Sequence, residues 1–265
     1  MRVSGVVAGW GPALLLLSAL VPGLRPLVAV VLLAGWVGLL LRRRPEAIAW
    51  AATLPVGVPL AWPWVLGVDV PLGASGCIEP LSDIVLRRMA VAGVGLGLAG
   101  LVAVVHRSSL EEVGLRRPGG AEAAVAIAGL LVLGIGGTFI GPLAAEPFFG
   151  RLVYATPAAA ILPAALFGAA NGVLEEVAYR GILQAFLGRL IPIASAMAFQ
   201  GLVFGIVHAG PEVVALLPLH IALLTGVGVA AGLVRWKLGS LWIPIGIHVG
   251  ADIALYVGLA CRAAP

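Results

Sequence analysis

Nine long apolar runs alternate with short polar or proline-containing stretches along the chain of 265 residues. A helix that crosses a bilayer needs about 20 apolar residues, and most of these runs approach that length. They lie at residues 5–22, 26–41, 47–68, 88–105, 121–142, 157–187, 192–209, 213–234 and 240–260. The second run is short and the third contains Pro55, Pro59 and Pro63, so one of the two is expected to be re-entrant or interfacial. The pattern predicts an all-α, polytopic transmembrane bundle of eight or nine spans.

The composition argues against a soluble domain. Hydrophobic residues make up 61% of the chain and charged residues 11%, whereas soluble domains contain roughly 25% charged residues. The mean hydropathy is +1.12. The net charge of +4 comes from cations that flank the apolar runs, without an aromatic-interleaved basic patch. A nucleic-acid partner is therefore not expected, and the lipid bilayer is the surrounding medium that the sequence implies.

The basic residues predict the orientation, because cytoplasmic loops carry an excess of lysine and arginine. With a cytoplasmic N-terminus and nine spans, ten basic residues fall on the cytoplasmic side and five on the outer side. The first set is Arg2, Arg42, Arg43, Arg44, Arg107, Arg116, Arg117, Arg189, Arg235 and Lys237; the second is Arg25, Arg87, Arg88, Arg151 and Arg262. The same topology places Cys77 and Cys261 on one side, where a disulfide or two separate thiols would fit.

A charged stretch, residues 106–118, divides the chain. Residues 1–105 contain four plain apolar runs, whereas ionisable residues enter the runs of residues 106–265. Within the stretch, Ser109 and Glu112 have the spacing of a helix capping box. His106 lies in this loop and is expected to be solvated.

Paired glutamates and an arginine lie inside the sixth run, where a charge at the bilayer centre costs about 2.5–3.5 kcal/mol. Glu176 and Arg180 are four residues apart and share a helix face, which predicts a structural ion pair. Glu175 is about 100° around the helix from Glu176, so its carboxylate is available for chemistry.

Histidines and an aspartate enter the last three runs. Phe204 and His208 are four residues apart, as are His248 and Asp252, so each pair shares a helix face. His220 has no such neighbour, and a packing role is expected for it. Clusters of this kind persist in membranes when they pair with each other or line a wet cavity.

Three motifs resemble those of the CAAX prenyl protease and bacteriocin-processing (CPBP) family of intramembrane endopeptidases. EEVAYR, FGIVH and HVGAD, which begin at Glu175, Phe204 and His248, resemble EExxxR, FxxxH and HxxxN/D. The resemblance covers about residues 110–259, and so makes residues 106–265 a CPBP-like protease core. It implies an endopeptidase of the glutamic or metallo type, in a bacterial inner membrane, with a cavity that opens toward the cytoplasm.

The resemblance also implies roles for the motif residues. Glu175 would activate water with help from His208, and His248 with Asp252 would hold the developing oxyanion or orient the substrate, while Phe204 would line the substrate pocket. Many family members have asparagine in place of Asp252, and an aspartate can donate a hydrogen bond only when protonated. Otherwise Asp252 is better suited to orient His248.

A divalent metal such as zinc is an alternative to metal-free catalysis. Glu175, His208, His248 and Asp252 form a credible ligand set, because carboxylates and imidazoles bind zinc. The sequence lacks an HExxH motif that would supply two histidines from one helix, which favours water activation without a metal.

Three functions remain open at this stage. The first is an endopeptidase for a membrane-tethered substrate: a CAAX-type tail, a C-terminal anchor or sorting signal, or a bacteriocin-like peptide. The second is a proton- or ion-coupled transporter, which would also use intramembrane Glu, His and Asp, although the sequence contains no inverted repeat. The third is a non-catalytic immunity or binding protein of the same fold.

Overall fold

The computed structural model describes residues 5–65, 83–139, 157–208 and 217–260. Within these ranges the backbone is helical and contains no strand, so the predicted all-α class is confirmed. The helices are α1 (Gly5–Leu20), α2 (Arg25–Leu41), α3 (Ala47–Val65), α4 (Asp83–Val105), α5 (Leu110–Val113), α6 (Gly120–Leu131), α7 (Pro157–Glu175), α8 (Ile193–Val207), α9 (Leu217–Leu238) and α10 (Trp242–Ala260). The axis of α6 continues through a π-helical turn, Val132–Gly136, and that of α7 through a π-helical segment, Glu176–Gln184.

Five of the described helices are long and apolar enough to cross a membrane. They are Pro22–Leu41, Val85–Val105, Gly120–Phe139, Ile161–Leu187 and Pro218–Leu238. Four further apolar helices are shorter: Val6–Leu20, Ala47–Ala61, Ile193–Val207 and Trp242–Val257. Every predicted run therefore contains a helix, but the predicted count of eight or nine spans is not confirmed.

Large apolar side chains point outward from the bundle. Val30, Val104 and Phe139 are 64%, 75% and 76% exposed, respectively. In water such a surface would promote aggregation, whereas in a bilayer it faces lipid tails.

One end of the bundle collects basic residues around α5. The predicted capping box forms: Glu112 N donates to Ser109 Oγ, and Ser109 N donates to Glu112 Oε2. Arg235, at the end of α9, donates to the Glu112 carbonyl at 2.6 Å, and Arg189 donates to Ser108 Oγ at 3.0 Å. These contacts hold the ends of α7 and α9 at one face of the molecule, which we call the basic face.

His106 belongs to the packing of the basic face, so the expectation that it is solvated is wrong. Trp36 Nε1 donates to His106 Nε2 at 3.3 Å, and the imidazole meets the Phe186 ring edge-on at 5.9 Å. Burial and the nearby charge of Arg189 lower the pKa of His106. A neutral imidazole is the form that can accept the hydrogen bond from Trp36.

Glycines permit a very close approach of α7 to α10. A methyl group added at Gly168 would lie 2.8 Å from the Val249 carbonyl oxygen, and one added at Gly172 would lie 2.9 Å from the Val249 nitrogen. Small residues at such positions let membrane helices approach backbone to backbone. The approach brings the face of α10 that carries His248 onto the face of α7 that carries Glu175.

The two parts predicted from the sequence pack on a common core. Its buried side chains include Leu15, Leu32 and Leu54 from the N-terminal part, and Ile182 and Phe186 from the C-terminal part. The boundary at residue 105 stays a prediction. Cys77 and Cys261 lie outside the described residues, so the choice between a disulfide and two separate thiols is not tested.

Replacing Gly172 with alanine should destabilise the protein, because the new methyl group would clash with backbone atoms of α10. We expect a loss of about 1–3 kcal/mol, as for other over-packed cores. Thermal unfolding of the purified protein in detergent measures the effect. Gly97→Ala is the matched control, since an added methyl group there meets no atom within 4 Å, and equal stability of the two variants would contradict the prediction.

Candidate active site

The carboxylate of Glu175 faces two imidazoles from different helices. Glu175 Oε2 lies 3.5 Å from Nε2 of His208 and 3.5 Å from Nε2 of His248. Glu175 ends the α-helical part of α7, His208 caps the end of α8, and His248 lies in α10. The side chain of Glu175 is 12% exposed. Both separations are slightly longer than a direct N–H···O hydrogen bond, so the three groups are neighbours without being locked together.

Hydrogen bonds to the other ring nitrogens fix how both imidazoles point. His208 Nδ1 lies 2.7 Å from the Phe204 carbonyl oxygen, which can only accept, so this nitrogen carries a hydrogen. His248 Nδ1 lies 2.7 Å from Glu176 Oε1, and we assign the hydrogen to Nδ1 there as well. Each histidine therefore directs its Nε2 toward Glu175.

Glu176 links His248 to a buried arginine. Its Oε1 lies 3.0 Å from Nη1 of Arg180, and the side chains are 2% and 1% exposed. The predicted ion pair therefore forms, but Glu176 is also part of the site, since it and Glu175 contact opposite nitrogens of one imidazole. The π-helical segment begins at Glu176, and such segments occur frequently at functional sites.

Asp252 accepts a hydrogen bond from a residue that the sequence reasoning missed. Asn171 Nδ2 donates to Asp252 Oδ2 at 2.9 Å, and the same oxygen lies 3.7 Å from His248 Nε2. Asn171 is 5% exposed, and it is the only asparagine in the sequence. Two signals could have identified it: an amide inside an apolar run, and its position one helical turn before Glu175.

Phe204 packs beneath the imidazoles. It is 3% exposed, and its ring centroid is 4.4 Å from that of His208. The Arg180 guanidinium lies 4.5 Å from the ring centroid, and the Tyr179 ring meets it edge-on at 5.3 Å. This placement favours a packing role for Phe204 over the predicted contact with substrate.

Residues 156–254 match the family model described as Type II CAAX prenyl endopeptidase Rce1-like. This part of the chain is similar to the CAAX protease family. All three motifs lie within the match, whereas α1 to α4 precede it. No curated protein and no solved structure matches the chain.

The match supports an intramembrane-protease function, and the apolar helices support an integral membrane protein. The match also implies a membrane-associated peptide or protein as the substrate.

A small cavity of about 60 Å³ lies beside Glu175, between α3, α4 and α7. Glu175 and Tyr179 line it on the α7 side, and Pro55 and Pro59 line it on the α3 side. Arg88 enters it from α4; the sequence reasoning had counted this residue only as an outer-side charge. Glu175 therefore has the cavity on one side and the two imidazoles on the other.

His220 contacts the backbone at the edge of the site. Its Nε2 donates to the His208 carbonyl oxygen at 3.1 Å, at the point where α8 ends. This contact agrees with the packing role expected for it.

Among the described residues, no group of three or more His, Cys, Asp and Glu side chains is arranged as a metal site. The predicted set of Glu175, His208, His248 and Asp252 is clustered all the same, since the Nε2 to carboxylate separations are 3.5–3.7 Å. Metal binding by this set stays a prediction.

Replacing Arg180 with methionine should destabilise the protein strongly, because Glu176 would keep a buried charge without its cation. Removal of one member of a buried pair costs about 3–5 kcal/mol. Denaturant or thermal unfolding in detergent measures the loss. Arg117→Met removes the same charge from an exposed position and should change stability far less, so comparable losses in the two variants would argue against the prediction.

Proposed function

We propose that the chain is an endopeptidase that hydrolyses a peptide bond of a membrane-tethered protein or peptide. Glu175 activates the attacking water, with help from His208. The observation that carries the proposal is the position of the Glu175 carboxylate, between two imidazole Nε2 atoms at 3.5 Å and beside a cavity. A carboxylate held in this way is suited to general-base catalysis.

The proton follows a balanced path in this mechanism. Glu175 takes a proton from water while the oxygen attacks the scissile carbonyl carbon, which gives a tetrahedral intermediate. The same proton then passes from Glu175, or through His208 Nε2, to the leaving amine as the carbon–nitrogen bond breaks. His208 suits this transfer because the Phe204 carbonyl holds its Nδ1 hydrogen and leaves Nε2 toward Glu175.

In this proposal His248 stabilises the oxyanion of the tetrahedral intermediate. Glu176 holds the Nδ1 hydrogen of His248, so in the doubly protonated ring Nε2 can donate to an oxygen that becomes negative. Preorganised donors of this kind contribute about 10²–10³ in kcat. Asp252 acts as the partner that orients His248, because its Oδ2 already accepts from Asn171 and faces the same ring.

The substrate is proposed to be an extended tail close to a membrane anchor. The site is enclosed by α7, α8 and α10, so a folded domain could not reach Glu175. A CAAX-type tail, a C-terminal anchor or sorting signal, and a bacteriocin-like peptide all fit this description. The protein is assigned to a bacterial inner membrane, with the N-terminus and the basic face in the cytoplasm, because Arg189 and Arg235 gather there.

Replacing Glu175 with glutamine should abolish processing without unfolding the protein, because the amide keeps the shape but cannot accept the proton. We would compare the N- and C-terminal peptides of membrane and secreted proteins in cells that express the wild type, Glu175→Gln or Glu111→Gln at equal levels. Glu111 is exposed and remote from the site, and serves as the control. The expected result is a small group of proteins that keep an uncleaved tail or prepeptide only with Glu175→Gln.

Indistinguishable peptide sets from an inserted, folded Glu175→Gln variant would count against the protease. Loss of proton or ion flux in the same variant would then favour the transporter. Retention of both processing and flux would favour a binding or immunity protein.

Catalysis is proposed to proceed without a metal, so chelation should leave cleavage unchanged. The measurement is the cleavage rate of the identified substrate by purified enzyme before and after treatment with 1,10-phenanthroline, together with elemental analysis. A loss of activity that added zinc restores would show instead that Glu175, His208, His248 and Asp252 hold a catalytic metal.

A further inference from the structure

Part of the cavity wall beside Glu175 comes from helices that lie outside the family match. Pro55 and Pro59 of α3 and Arg88 of α4 face Glu175 and Tyr179 of α7. The matched region begins at residue 156. The N-terminal helices therefore contribute directly to the space in which a substrate would lie, and they bring a positive charge to it.

Arg88 has no carboxylate within ion-pair distance among the described residues. Four other arginines form such pairs: Arg44 with Glu46, Arg116 with Glu122, Arg180 with Glu176 and Arg189 with Glu112. The charges of Glu175 and Asp252 act on Arg88 only from beyond ion-pair distance. The contact found for the Arg88 guanidinium is with the Phe167 ring, 5.5 Å from its centroid. A partly buried cation on an apolar helix is costly, and an anionic ligand in the cavity would offset that cost.

Arg88 and Glu175 line the same cavity, Arg88 from α4 and Glu175 from α7. An anion held by Arg88 would therefore lie close to a peptide bond placed at Glu175.

We propose that Arg88 binds a carboxylate of the peptide substrate in the cavity beside Glu175, and so determines which tails are cleaved. This assignment rests on the proposed protease function. A guanidinium is suited to the task because it binds a carboxylate with two parallel hydrogen bonds. The carboxylate could be the C-terminus or an acidic side chain, and the experiment separates these two sources.

Binding can be measured without turnover in a Glu175→Gln background in nanodiscs. The probe is a fluorescent, N-palmitoylated short peptide with an apolar tail, prepared as the free acid, as the C-terminal amide, and as the amide with one aspartate near the end. We expect the free acid to bind about tenfold more tightly than the amide. Arg88→Gln should remove that preference, Arg88→Lys should keep part of it, and Arg87→Gln should keep all of it.

The aspartyl amide identifies the source of the carboxylate. If the aspartyl amide binds as tightly as the free acid, a side-chain carboxylate suffices. If it binds only as tightly as the plain amide, the protein recognises the C-terminal carboxylate. Equal binding of acid and amide by the parent protein would overturn the proposal, as would a preference that survives Arg88→Gln.

Kinetics of the otherwise wild-type enzyme separate substrate binding from an electrostatic effect on Glu175. Arg88→Gln should raise KM for the free acid about tenfold, with a smaller effect on the amide and on kcat. An equal fall in kcat for both peptides would place Arg88 among the groups that only tune Glu175, and would overturn the proposal. The nanodisc measurement does not depend on cleavage, so failure of the protease function and failure of carboxylate binding are distinguishable.

Discussion

The site requires charged side chains to be buried within a bilayer, where each charge needs a partner. The contacting side chains Arg180, Glu176 and His248 provide these partners. An isolated Glu176 carboxylate would be very costly so far from water, but Arg180 neutralises it at 3.0 Å. The paired carboxylate then holds the Nδ1 hydrogen of His248 at 2.7 Å. One buried ion pair within the π-helical segment thus sets the direction of the imidazole that faces Glu175.

The ion pair could not place His248 correctly without the close approach of α7 and α10. Gly168 and Gly172 lie against the backbone of Val249, next to His248 in sequence. A methyl group at either position would overlap α10 and push it away from α7. The distance between these two helices therefore determines where the His248 imidazole lies. One face of α7 therefore carries both the glycines that contact α10 and the polar residues of the site. Gly168, Asn171, Gly172 and Glu175 recur on it at the three- to four-residue spacing of a helix.

The sequence was sufficient for those features that depend on spacing within one helix. The Glu176–Arg180 pair, the capping box of Ser109 and Glu112, and the helical class all follow from local periodicity. Contacts between helices were harder to infer, because spacing along one helix does not determine its neighbours. For this reason His106 was wrongly expected in solvent, Asn171 and Arg88 were passed over, and Phe204 was given a substrate contact that its burial disfavours.

Arg88 also gives the four N-terminal helices a physical reason to pack against a protease core. The matched region supplies Glu175, both imidazoles and Asp252, but in that arrangement Glu175 borders a cavity whose opposite wall is formed by α3 and α4. Prolines 55 and 59 remove backbone donors from that wall, so the groups left to select a substrate there are apolar surface and one guanidinium. In the proposed mechanism, selection of the substrate and attack on it therefore arise from different parts of the chain.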